Sequence, residues 1–131
     1  MTLADIRDWL KDIAEAEHYY IGKLDRKQPK SIGVYSRQTN SPPRMALGGL
    51  DQTSYDSQSI YILVHWNENA RETDEAAAAL FDRLRRMTTT TIAGTRVYYL
   101  RLDTTEAVDV GTDENGMYER VIWLTLLYER K

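Results

Sequence analysis

The chain has no cysteine, so disulfides, thiolate-bound zinc and cysteine nucleophiles are all excluded. Histidine is nearly absent as well. His18 and His65 are the whole supply, and they form no H-x-x-x-H or similar pair on one element, so the sequence gives a histidine metal site little support. No apolar run approaches the ~18–20 residues that a membrane span needs. The opening Met1-Thr2-Leu3-Ala4-Asp5 lacks the basic start and apolar stretch of a signal peptide. Synthesis and work in a cytoplasm fit these absences. P-loop, G-x-S-x-G and dinucleotide fingerprints are missing too. Gly48-Gly49 lacks the following Lys-Ser/Thr and the strand–helix setting of a phosphate cradle. A net charge of −3 without a basic stripe argues against nucleic acid as the main partner, because such binding depends on neutralising phosphates.

What remains is an ordinary globular composition. With 131 residues, 42% of them hydrophobic, the chain can bury a real core as one domain, and no repeat or linker divides it. Leu3, Ile6, Leu10 and Ile13 follow helical spacing with Trp9 beside them, which predicts a first helix from about Thr2 to Glu17. Thr2 is its N-cap, with Asp5 as the acidic partner of a capping pattern. Short strands are expected at Tyr19–Gly22 and Ser31–Ser36, separated by a basic turn containing Pro29. Ser59 to Trp66 alternates strictly: Ile60, Ile62, Val64 and Trp66 point one way, Tyr61, Leu63 and His65 the other. A second helix over Ala70–Met87 buries Ala77, Leu80, Phe81, Leu84 and Met87, and its charges match the helix dipole. Further strands are expected at Thr95–Leu102 and Tyr118–Tyr128, with a hairpin turn at Asn115-Gly116. The fold expected is α+β: a small, mostly antiparallel sheet with two helices packed on one face, a single domain over residues 1–131.

Three features bear on function. The segment Arg37 to Ser57, with Pro42-Pro43 and Gly48-Gly49, reads as a long loop. Its Met45, Leu47, Leu50 and Tyr55 make it a partner-binding arm or a flexible loop of no special role. The last strand is apolar on both faces: Ile122, Leu124 and Leu126 on one, Val121, Trp123 and Leu127 on the other. Two helices cover only one face, so the loop or another subunit must cover Trp123, Leu127, Tyr61 and Leu63. Finally, charge is segregated. Lys23, Arg26, Lys27 and Lys30 form a basic segment, while Asp103, Glu106, Asp109, Asp113, Glu114 and Glu119 form an acidic one. These are solvated loops, or complementary contact surfaces.

Catalytic chemistry is thin. The acidic turn Asp109–Gly116 resembles a calcium loop only superficially. Gly111 stands where a ligand belongs, and Glu119 is too close to close the loop, so a structural hairpin is the reading. Asp103, Glu106 and Asp109 offer paired carboxylates, but no apolar pocket is evident to shift them. No cofactor is expected.

The stretch Gly94-Thr95-Arg96-Val97, then Val108-Asp109-Val110-Gly111-Thr112-Asp113-Glu114-Asn115-Gly116, Tyr118-Glu119 and Tyr128-Glu129-Arg130, resembles the phage minor capsid and tail terminator family of Gram-positive siphophages. The strand Ile60–Trp66, followed by an alanine-rich helix, is similar to the family's middle, so the resemblance spans about Ser57 to Arg130. It implies a non-enzymatic structural subunit of a phage or prophage virion, assembled in the host cytoplasm. Related terminators form a hexameric ring that caps the tail tube and meets the head connector. It implies no catalytic residues, and a loop reaching a neighbouring subunit or the tube, here with Arg44, Met45, Leu47 and Tyr55 as contacts. Terminator, head-closure and minor capsid roles share this architecture. A small bacterial protein-binding module and an enzyme are the other two classes. No membrane and no sequence-specific nucleic acid is expected among the partners.

Overall fold

Thr2 opens the first helix. Its hydroxyl accepts the Asp5 N–H at 3.2 Å, and the Asp5 carboxylate accepts the Thr2 N–H at 2.8 Å, a reciprocal capping box. Hydrogen bonds to the carboxylate from the Thr2 backbone N–H and the Thr2 side chain hold the Asp5 carboxyl below its ordinary value. Helix α1 runs Leu3–Ile13 and stops short of the expected Glu17. Ala14 turns to extended backbone there, and the Tyr19 hydroxyl donates to the carbonyl of Ala14.

The computed structural model describes residues 1–25, 27–37 and 55–130. Arg26, Arg44, Met45 and Leu47 lie outside them, as does most of the 37–57 loop. Strands β1 (His18–Ile21), β2 (Ser31–Ser36) and β3 (Tyr55–His65) precede helix α2 (Ala70–Arg86); β4 (Thr90–Ile92), β5 (Thr95–Leu102), β6 (Val108–Thr112) and β7 (Tyr118–Glu129) follow it. The sheet order is β1-β2-β3-β7-β5-β4, with β6 also paired to β7. The far edge of β7 is therefore shared. Its residues 118–121 pair with β6 and its residues 124–128 with β5.

This corrects the expected small, mostly antiparallel sheet, which is in fact a mixed sheet of seven strands. β1 and β2 pair in parallel, because residues 22–30 return the chain to the start of β1 instead of turning a hairpin. Lys30 (φ 52) fixes that return: its carbonyl accepts the Glu17 N–H at 2.8 Å and its own N–H donates to Trp66 at 2.7 Å. Two short strands went unexpected. β4 hairpins onto β5 through Ala93 and Gly94, both at positive φ (50 and 78). The expected Asn-Gly turn is longer, spanning Asp113 to Met117. Asp113 N–H donates to Met117 at 3.0 Å, and only Gly116 takes positive φ.

The core lies between the sheet and the helices. Ile60, Ile62 and Val64 of β3 and Ile122, Leu124 and Leu126 of β7 are essentially without solvent exposure. They meet Ile6 and Leu10 of α1 and Ala77, Leu80, Phe81 and Leu84 of α2. Each large side chain buried there contributes about 1.5–3 kcal/mol. Both helices cover this face.

The opposite face is tight at one point. A Cβ on Gly33 would stand 2.9 Å from Leu24 Cδ2 and 3.0 Å from Tyr35 Cε2. Both neighbours are side-chain atoms with some freedom, so Gly33→Ala is expected to cost about 1–2 kcal/mol. Urea denaturation measures it, and an unchanged midpoint would show that Leu24 does not seat against β2.

Candidate functional site

The odd residues of β3 and β7 meet in register on the face turned away from the helices. The rows run His65–Glu119, Leu63–Val121, Tyr61–Trp123, Ser59–Thr125, Ser57–Leu127 and Tyr55–Glu129. β2 extends them with Ser31, Gly33 and Tyr35, and β5 with Arg101 and Tyr99. Period-two alternation puts all of these side chains on one side.

Part of this face is covered from within the chain. Leu24, carried by the crossover between β1 and β2, closes over Leu63 and Val121, with Tyr20, Tyr35 and Tyr61 around them. The Tyr35 and Tyr61 rings stack at 4.7 Å with 1° between planes. Sequence reasoning assigned the cover to the long loop or a second subunit and missed Leu24. Beyond Tyr61 the face opens. Trp123 is 41% exposed and Tyr99 55% exposed, with Leu127 half-buried opposite Tyr99 in the register. Tyr55, expected in the loop, is the first residue of β3 and ends the row half-buried. Val97 and Tyr99 flank a register shift in β5, which leaves neighbouring Tyr98 exposed as well.

A polar network sits in the middle of the open stretch. Arg37 donates to Asp103 and lies with its guanidinium carbon 5.9 Å from the Trp123 ring centroid. Arg101 donates to the other Asp103 oxygen at 3.0 Å, and Thr125 donates to Asp103 at 3.1 Å. Burial pushes the Asp103 carboxyl up, but the hydrogen bonds from Arg37, Arg101 and Thr125 and the Arg37 charge outweigh it and hold it below the ordinary range. A carboxyl depressed by folding adds stability that is complete above its unfolded value and is lost as pH falls through the folded one. That window lies below about pH 3.9. Asp103→Asn is expected to lose about 1–2 kcal/mol at neutral pH, after allowing for solvent screening of this partly exposed group. The gap to wild type should narrow at about pH 2.5. Denaturation at both pH values measures it; a constant gap would count against the network.

The charged candidates are scattered. Lys23 and Lys27 are exposed in the crossover that leaves edge strand β1. Asp109 is exposed on β6, at the other side of the sheet, 3.9 Å from Arg120. Asp113 does not face solvent at all: its side chain is 4% exposed and its Oδ2 stands 3.7 Å from His65 Nδ1. Glu119 Oε2 lies 2.9 Å from the same nitrogen. The acidic segment is thus split, with Asp103, Asp113 and Glu119 engaged in the fold and Glu106, Asp109 and Glu114 left on the surface. The meeting of His65, Asp113 and Glu119 was not read from the sequence, since no local spacing encodes it.

A family model described as bacteriophage tail terminator protein matches residues 1–130. The chain belongs to the bacteriophage tail terminator family. The match includes α1, β1 and β2, which the resemblance noted in the sequence did not reach. A tail terminator is a structural, non-catalytic virion component that interacts with other phage tail or head proteins. No curated protein sequence matches the chain. No helix among the described residues is long and apolar enough to cross a membrane.

Proposed function

We propose that the chain is one subunit of a homohexameric ring that closes the tail tube and meets the head connector. In this reading it is a single terminator domain, assembled in the host cytoplasm before it joins the virion. The observation that carries the reading is the exposure of Trp123 and Tyr99, with half-buried Leu127, on the sheet face turned away from the helices. Exposed aromatic side chains flanking a polar network on one sheet face mark a protein interface, and aromatic side chains dominate the energetics of such contacts. The 37–57 loop, with Arg44, Met45 and Leu47, leaves the sheet beside Arg37 and serves as the arm toward a neighbour or the tube.

A closed ring of identical subunits uses two unlike surfaces on each copy. The crossover with exposed Lys23 and Lys27 follows edge strand β1, and exposed Asp109 lies on β6 across the sheet. Opposed edges of opposite sign fit a heterologous contact and set its register. The combined substitutions Lys23→Glu and Lys27→Glu are expected to weaken assembly at low salt, with the difference shrinking as salt rises. Sedimentation of the subunit with tail-tube protein checks this. An assembled species of unchanged size and amount in low salt would remove the charged edges from the account.

A further inference from the structure

We infer that the partner covering the open stretch of the sheet brings a side-chain carboxylate, an Asp or Glu of a tail protein, to the Arg37–Arg101 pair beside Trp123. The proposed role of this face as an interface is the premise. Two neighbouring rows of side chains cross it. The Asp103 N–H donates to the Trp123 carbonyl at 2.9 Å, which puts Asp103 at the end of the row Tyr35, Tyr61, Trp123. The Arg37 N–H donates to the Ser59 carbonyl at 3.0 Å, and so the next row runs Arg37, Ser59, Thr125, Arg101. Tyr99, opposite Leu127, belongs to the row after that. Arg101 therefore stands between the rows of the two exposed aromatic side chains. No partner can cover both Trp123 and Tyr99 without covering Arg101.

The charge there does not balance. Arg37 and Arg101 bring two positive charges, and among the described residues Asp103 is the only carboxylate in an ion pair with either. Arg37 and Asp103 form the inner pair, with side chains 20% and 17% exposed. Arg101 is the outer member, at 56% exposed. Its Nε donates to Asp103 Oδ1 at 3.0 Å and its Nη2 to the Thr125 hydroxyl at 3.3 Å, two bonds from a fork of five N–H donors. Glu129, two rows beyond Thr125 on β7, accepts the Arg96 N–H at 3.1 Å.

In the free subunit, water solvates the surplus charge at Arg101. Under a docked partner that solvation is lost, and a covered charge without an opposite one is costly. An acidic side chain on the partner removes the conflict. Two guanidinium groups, Asp103 and one further carboxylate sum to zero. The guanidinium fork also matches a carboxylate in shape and can bind it through two parallel hydrogen bonds. Trp123 and Tyr99 on either side exclude water from such a pair, which strengthens its attraction. The aromatic side chains thus supply contact area, and Arg101 selects the sign of what they contact.

The test measures attachment of the full chain to assembled tail tubes by co-sedimentation over a range of subunit concentrations. Arg101→Ala is expected to weaken attachment by at least about 30-fold, and Arg101→Glu by more, since each leaves the partner's carboxylate covered and unbalanced. Arg101→Lys keeps the charge and should retain most of the affinity. Arg71→Ala removes an equal charge from the exposed side of α2 and should change nothing. Thermal melting checks the fold, and Arg101→Gln replaces Arg101→Ala if the latter fails it, with the same loss expected. Unchanged or tighter attachment by the folded variant would overturn the proposal, because an uncharged partner surface gains when the surplus charge goes. A loss as large in Arg71→Ala would overturn it too, as would an equal loss of self-association without tubes, which would make the occupant a second copy. Trp123→Ala separates the premise from the inference. Attachment lost in Trp123→Ala but kept in Arg101→Ala removes the carboxylate alone, whereas full attachment by Trp123→Ala removes the interface itself.

Discussion

Trp123→Ala is expected to abolish attachment of the subunit to the tail while leaving its fold intact. The ring is 41% exposed in the isolated chain, so its removal creates little internal cavity. The fold loses partial burial and the Arg37 contact over the ring, which at such sites is worth about 0.5–1 kcal/mol. The interface loses far more. A central tryptophan in a protein contact commonly carries about 2–4 kcal/mol, a weakening of roughly 30- to 1,000-fold for each interface. In a ring that loss recurs at every subunit. Thermal melting of the free chain checks the first half of the expectation, and co-sedimentation with tail tubes the second. Wild-type attachment by the variant would remove the open sheet face from the interface.

The adjacent residue should behave in the opposite way. Leu124 is fully buried on the helix-facing side of β7, opposite Ile60 in the register. Leu124→Ala leaves a cavity between the central strands and the helices, and comparable truncations cost about 3–4 kcal/mol. Against a typical domain stability of about 5–15 kcal/mol, that is a large share. A drop of roughly 10–15 °C in thermal midpoint is the corresponding observation. Assembly at low temperature should survive, because the interacting face is untouched. A loss below about 1 kcal/mol would mean that the helices do not close over β7. In the proposed reading one strand carries two independent roles, separated by its pleat.

The two apolar faces of β7 were legible in the sequence, because Tyr118 to Tyr128 has no polar phase. Period two and apolar residues on both sides can mean only a strand with two faces to cover. The helices were legible for a related reason. Thr2 with Asp5, and the spacing of Ala77, Leu80, Phe81 and Leu84, are local signals that the chain obeys wherever it folds. Strand pairing is not local. The parallel pairing of β1 with β2 depends on where residues 22–30 deliver the chain, and composition says nothing of that. Leu24 stands in a basic turn with no apolar period around it, yet it closes the far side of the sheet.

The polar residues follow the same division. Asp113 read as part of an acidic hairpin, and that hairpin exists. Its contact with His65, and the bond between His65 and Glu119 across 54 positions of sequence, arise only when β3 and β7 lie side by side. Charge that looked like one acidic surface is therefore divided between an internal cluster, the Arg37 network and a smaller exposed remainder. Family membership, in contrast, was visible in the residues from Gly94 onward and holds over 1–130.

The central claim is a ring of this chain at the tail end, and counting its copies there tests it most directly. Tail tubes assembled with the wild-type subunit, imaged by electron microscopy and weighed in the intact state, give that number. The account predicts six copies of the 15.2 kDa chain at one end of each tube, and none along its length. Copies spread along the tube, or tubes that carry none at either end, would contradict it.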